Sequence, residues 1–264
     1  MSGGIVRITS WGVGGLVITY FSLSIALFVT MIGLLISLFL LLLTTWESKL
    51  AKPSEQVPAL GIVKGLSIVN RHPNVKRIIT AEALFYLLMG FLWVAFPIRV
   101  AEIGDGLLYG FHGVAFGLGF LITSLMLSAK TKEGSGYMKA GRWYAIGFAV
   151  YALGNFFLTF TLQPWIFLFG LFISGLGTTF WSTFQMTVFH TTVSTQEIGK
   201  VFSVFESVVT LIQVPGFLLG GLLVDRLGTS SVMAMVTILQ LIPIALIFAK
   251  KSLLNYEPHS LPND

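Results

Sequence analysis

From residue 8 to residue 45 the chain carries no charged side chain. As one helix at about 1.5 Å per residue, that run would be nearly twice as long as the ~30 Å hydrocarbon core of a bilayer is thick. A single crossing cannot hold it. The polar break at Tyr20–Ser24 (YFSLS) is the natural turn, which predicts a full span at about 25–45 and a short apolar piece at 9–20. The short piece crosses only if residues 1–8 join it and carry Arg7 into the membrane, so it reads as the back end of a helix whose front end is missing.

The rest of the chain follows the same pattern. Hydrophobic residues make up 55% and charged residues 10% of the 264 positions, against ~25% charged in a soluble domain. The fold class this implies is all-α, a polytopic helical bundle in a membrane. No cysteine is present, so no disulfide framework or thiolate metal site is expected, in keeping with a bacterial inner-membrane protein. The first apolar run lacks a small-residue cleavage pattern and would serve as a signal anchor.

One long hydrophilic connection interrupts the spans, at residues 47–78, with Pro53, Pro58 and Pro73 as punctuation. Within it, Leu60, Val63, Leu66 and Val69 recur at helical spacing behind Pro58, a favoured first-turn residue. That pattern predicts a short amphipathic helix, either on the membrane surface or as a soluble linker. Further spans are predicted at 79–99, 107–128, 143–162, 165–190, 201–224 and 230–249, with residues 251–264 as a tail. Lys49, Lys52, Lys64, Arg71, Lys76, Arg77, Lys130, Lys132, Lys139, Arg142, Lys200, Lys250 and Lys251 then share one side, while Arg99 and Arg226 share the other. By the positive-inside rule the first side is cytoplasmic, including the C-terminus, and the protein is a multi-pass component of the cell inner (plasma) membrane.

Ionisable residues inside spans are costly, so each is a functional candidate. Glu206 lies six residues past Lys200 and is expected to face a central cavity as a proton-coupling carboxylate, or to pair structurally at the inner end. Glu82, five residues past Arg77, is a second proton-coupling candidate, with a salt bridge near the helix entrance as the plainer expectation. His112 sits in a glycine ladder of Gly106, Gly110, Gly113 and Gly117 and reads as an interhelical partner. His190 reads as a helix-end residue. Gln213 and Asn155 reach the midplane by helix rise and, with Gln185 and Trp181, are candidate substrate-cavity residues. Pro215 and Gly216 directly follow Gln213 and would kink that helix as a gate, or simply pack it. Asp225 and Arg226 are expected to tie down the turn beyond. Rings such as Phe85, Tyr86, Phe91, Phe180 and Phe184 would suit an apolar cavity for amphipathic cargo. No metal-ligand spacing occurs, and no cofactor, catalytic constellation or nucleic-acid partner is expected.

Three stretches resemble the major facilitator superfamily, in its branch of bacterial drug and siderophore exporters. VPALGIVKGLSIVNRHPNVKRI is similar to that branch's central cytoplasmic loop, VSTQEIGKVFSVFES to its tenth-to-eleventh-helix junction, and PGFLLGGLLVDRLG to the end of its eleventh helix. The resemblance implies that residues 1–46 are the last one and a half helices of a first half, 47–78 the linker, and 79–250 the second six-helix half. The 129–142 loop departs from the family pattern in lacking an acidic residue in register. The function implied is a secondary active transporter of a small amphipathic solute, proton-coupled and outward, working by alternating access. The missing first half implies a truncated chain, or a half-transporter completed by a separate chain. The alternative is a non-transporting membrane protein.

Overall fold

The computed structural model describes Tyr20 and residues 23–43, 58–104, 106–132, 139–249 and 251–256. Helices in order are α1 (Leu23–Leu43), α2 (Pro58–Arg71), α3 (Pro73–Ile103), α4 (Gly106–Lys132), α5 (Ala140–Phe160), α6 (Pro164–Thr192), α7 (Ile198–Leu227), α8 (Thr229–Leu239), α9 (Leu241–Phe248) and α10 (Lys251–Leu254). No strand occurs among the described residues. Six helical stretches are long and apolar enough to cross a membrane: α3, Gly110–Ala129 within α4, α5, α6, α7, and Thr229–Phe248, which joins α8 to α9. They coincide with the six spans predicted from 79 onward. The predicted 9–20 piece lies outside the described residues apart from Tyr20.

Proline opens three of the helices, at Pro58, Pro73 and Pro164, where its missing N–H leaves nothing unbonded that the helix would have used. Gly228 turns α7 into α8 with φ +79°, a left-handed value that a side chain would strain. The last span runs from Thr229 to Phe248, close to the expected 230–249, with Gln240, 1% exposed, between α8 and α9.

Close helix contacts are made where side chains are absent. Gly147 and Gly154 of α5 lie against α6 at Gly177 and Gly170, and Gly119 of α4 meets the α6 backbone at Phe172. On the other flank, Gly90 of α3 crosses Gly216 of α7 so closely that a Cβ on either would strike the other helix's backbone. This is the small-residue packing expected of helices in lipid, where closeness rather than water exclusion drives association. Pro215 sits inside an unbroken helix, and Gly216 and Gly220 are its contact points on α3, at Leu87 to Phe91.

α2 is the amphipathic helix expected, and Val69 of its predicted apolar stripe turns to the bundle. Gly65, Ile68 and Val69 are buried while Val63 and Leu66 are exposed. Gly65 sets the rotation, because it lets α2 lie on the α7 backbone at Lys200 beside Val204. The end of α2 is tied down by Arg71, whose Nη2 lies 3.0 Å from Glu197 Oε1. Every side chain described in α1 is exposed.

At the opposite end of α3, Arg99 is 5% exposed and joins three helices. It donates to Glu102 Oε2 and Ser230 Oγ, each at 3.0 Å, and to the carbonyl of Thr161 at 3.0 Å, just past the end of α5. Glu102 in turn accepts a hydrogen bond from Thr229 at the start of α8. Sequence reasoning placed Arg99 only as one of two cations on its side. Asp225 and Arg226, expected at the turn beyond α7, are both exposed there and form no ion pair with each other.

Candidate functional site: an aromatic cavity beside a buried carboxylate

α3, α4, α5 and α6 line a cavity of about 220 Å³ that opens at one side beside the exposed Trp93. Seven aromatic rings line it: Phe85, Tyr86, Trp93, Phe96, Phe116, Tyr151 and Trp181, together with His112. They reach it because α3 presents Phe85, Met89, Leu92 and Phe96 at spacings of three and four residues, which puts them on one face of the helix. Phe85 is the hub of the wall. Its ring centroid is 4.8 Å from that of Trp181, 4.9 Å from Phe148 and 5.4 Å from Tyr151, all edge-on. Edge-to-face contacts of this kind add ~0.5–1.5 kcal/mol each beyond burial, and they hold the rings in place.

Behind the wall lies Glu82, one helical turn before Phe85 and 0% exposed. Tyr144 Oη and Trp181 Nε1 both donate to its Oε1, at 3.0 Å each, while its Oε2 has no hydrogen-bond partner. The expectation that Glu82 sits near the surface in a salt bridge is thus corrected. Its position on α3 turns it towards α5 and α6, where an aromatic donor from each meets it, and Arg77 instead bonds Ser252 at 2.6 Å. Glu206 is exposed on α7 and does not line this cavity.

The other candidates divide. Asn155 and Trp181 line the cavity as expected, whereas Gln213 and Gln185 do not. Gln185 is buried, with its Nε2 unpartnered, and Gln213 is half-buried. Asn155 Nδ2 donates to Gln240 Oε1 at 3.0 Å, and one turn on, Thr159 and Thr237 share a hydrogen bond of 2.8 Å. A polar ladder therefore runs from the cavity wall to α8. His112 packs edge-on against Phe96 at 5.0 Å, linking α4 to α3 as an interhelical contact. His190 is exposed at the end of α6 with its ring 5.6 Å from Phe202. Of the rings named from the sequence, Phe180 and Phe184 stack on Trp143, and Phe91 packs towards Gly220.

Sequence reasoning missed Tyr144, Tyr151 and Ser174. An available signal was their register: Tyr144, Tyr151 and Asn155 recur on one face of α5. Nothing local marks which of several aromatic faces is internal. No protein-family model, curated protein or solved structure matches this chain, so its functional reading rests on the cavity and the carboxylate beside it.

Proposed function

We propose that this chain is the second half of a major-facilitator-type secondary transporter that moves a small amphipathic solute across the cell inner membrane. The observation that carries the reading is an aromatic cavity inside the bundle with a fully buried carboxylate one ring away. A carboxyl group buried amid apolar side chains is costly, which makes it a functional candidate by default. Tyr144 from α5 and Trp181 from α6 hold Glu82. In this reading Glu82 carries the coupled proton, and Glu206, exposed on α7, is the second carboxylate to test. The basic loops face the cytoplasm in this reading, which puts the C-terminus inside; outward movement of the solute follows the resemblance to exporters.

The exposed side of α7 supports a requirement for a partner half. Ser203, Glu206 and Thr210 form an exposed polar line along it, with half-buried Gln213 continuing the line. Polar groups on a membrane helix are stable against protein or a water-filled cavity and costly against lipid. The chain's first half, or a separate chain supplying it, would cover that line and complete the alternating-access pair.

The test is proton-gradient-driven efflux of a fluorescent amphipathic dye from sealed vesicles. The chain is completed with a first half, and Glu82→Gln and Glu206→Gln are compared with the parent. Loss of gradient dependence in Glu82→Gln, with a smaller change in Glu206→Gln, is expected. Full gradient-driven efflux in both variants would sink the coupling role. The absence of efflux from the completed parent would favour a non-transporting membrane protein.

A further inference from the structure

The walls of the cavity carry a preference for one sign of charge. Phe85, Tyr86, Tyr151 and Trp181 make one corner, with Phe85 at 89°, 75° and 78° to the other three rings and centroid distances of 5.8, 5.4 and 4.8 Å. Rings crossed near right angles cannot all show the same aspect, so the corner offers π-faces as well as edges. The face of an aromatic ring is negative and attracts a cation within ~6 Å of its centroid, Trp most strongly. Glu82 reinforces that sign, because it accepts the Trp181 indole N–H at 3.0 Å. Ionised, it holds a negative charge one ring behind the wall and polarises the indole in the direction a cation favours. None of the described lining residues is Lys or Arg, which leaves His112 as the one side chain of the wall able to take up positive charge. Arg99, farther along α3, is turned instead to Glu102, Ser230 and the Thr161 carbonyl.

The kind of cation follows from the polar groups on the wall. The Trp181 indole N–H is given to Glu82, the Tyr151 hydroxyl to Met89 Sδ at 3.2 Å, and the Thr178 hydroxyl to the Ser174 carbonyl at 2.8 Å. An anion would find those donors spent. Asn155 Oδ1 and Ser174 Oγ belong to lining residues but are buried behind the surface, out of a ligand's reach. A primary ammonium brings three N–H donors and would find those acceptors closed to it, whereas a quaternary ammonium has no N–H to satisfy. Size sets the upper limit. A cavity of roughly 150 Å³ already admits benzene, so about 220 Å³ takes a trimethylammonium group with one ring and not a cation of several rings. The opening beside the exposed Trp93 gives it a way in.

We infer that the cavity binds a compact quaternary ammonium ion bearing at most one ring, its charge held among Phe85, Tyr86, Tyr151 and Trp181, with Glu82 as counter-charge behind the indole. Glu82 touches no part of the ligand and acts through Trp181. This inference rests on the transport reading for its biological sense and names the class of cargo, while the binding itself stands apart from movement.

The test is equilibrium dialysis of the full chain in micelles of an uncharged sugar detergent, with empty micelles subtracted, at about pH 8, where free imidazole is neutral. The probes are benzyltrimethylammonium, its uncharged carbon isostere neopentylbenzene, benzylammonium, benzoate and tetraphenylphosphonium. Benzyltrimethylammonium should bind about tenfold more tightly than neopentylbenzene, the scale of a desolvated cation–π contact. Benzylammonium should bind more weakly than its trimethylated form, and benzoate and the four-ring cation should not bind. In Glu82→Gln the preference for the cation should vanish while neopentylbenzene affinity stays, which shows that the cavity is still formed. Equal or weaker binding of benzyltrimethylammonium than of neopentylbenzene in the parent would overturn the assignment without recourse to any variant, as would tight binding of benzoate. An undiminished preference in Glu82→Gln would overturn the role given to the carboxylate. Selective binding of benzyltrimethylammonium in a completed chain that shows no efflux would sink the transport reading and leave this one standing. Efflux without that selectivity would do the reverse.

Discussion

Trp181 gives its indole N–H to Glu82 at 3.0 Å and turns its ring to the cavity, so one side chain is both wall and donor. Glu82 on α3 and Trp181 on α6 are 99 residues apart in sequence. The link makes the carboxylate sensitive to what occupies the cavity, because a ligand that shifts the indole also shifts one of the two donors on Oε1.

Trp181→Phe keeps most of the ring and removes the N–H. It should lower stability by about 1–3 kcal/mol, the cost of stripping a donor from a buried carboxylate. Glu82→Gln in the same background should recover part of that loss, because a neutral amide tolerates the missing donor better than a carboxylate. Thermal unfolding of the single and double variants in detergent checks the coupling. Additive losses would show that the hydrogen bond carries no weight.

Arg99→Met should be among the most damaging single changes outside the cavity. It strips the Thr161 carbonyl, Ser230 and Glu102 of their shared donor and loosens α3, α5 and α8 at one end. Removing a buried charged hub of this kind costs ~3–5 kcal/mol. Arg99→Lys should rescue little, since a point charge cannot fork to a carboxylate and a carbonyl together. Accelerated proteolysis near residues 161–164, read by mass spectrometry, would reveal the loosened end.

Arg71→Ala should do almost nothing to the bundle. Its pair with Glu197 is solvent-facing on the Arg71 side, 61% exposed, and exposed pairs contribute ~0–1 kcal/mol. The change should instead free α2, detected as faster amide exchange over residues 63–71 with the unfolding midpoint unmoved.

Gly216→Val would drive two methyl groups into the α3 backbone at Leu87 and Gly90, whereas Gly221→Ala meets open space. The first should fail to assemble a stable bundle, or lose about 2 kcal/mol or more by overpacking. The second should be neutral or slightly stabilising as a helix substitution. Comparing monodisperse yield on size exclusion separates the two.

How far the sequence carried these conclusions differs by element. The six spans were legible because uninterrupted apolar runs between charged loops leave few alternatives, and α2 was legible from its period behind Pro58. The side it turns to the bundle was not, because nothing local shows that Gly65 allows the α7 backbone to come close. Distance along the helix misled for the carboxylates. Counted from the basic residue before each, Lys200 and Arg77, Glu206 looks slightly deeper than Glu82, yet rotation about the axis leaves Glu206 exposed and buries Glu82 completely. Depth follows from counting residues, and facing follows only from the neighbours. Asn155 was found because an amide inside an apolar run has few explanations; Gln240, its partner on the last span, carried the same signal unread.

That partner gives the cavity a fifth support. Gln240 stands where α8 gives way to α9, beyond the four helices that form the walls, and it holds Asn155 through one hydrogen bond. Its side chain enters from a strut outside the cavity wall. A chain ending before residue 240 would keep the hollow's outline among α3 to α6 but lose the group that holds Asn155. Shape thus belongs to the four wall helices, and the setting of the wall's amide to the last span.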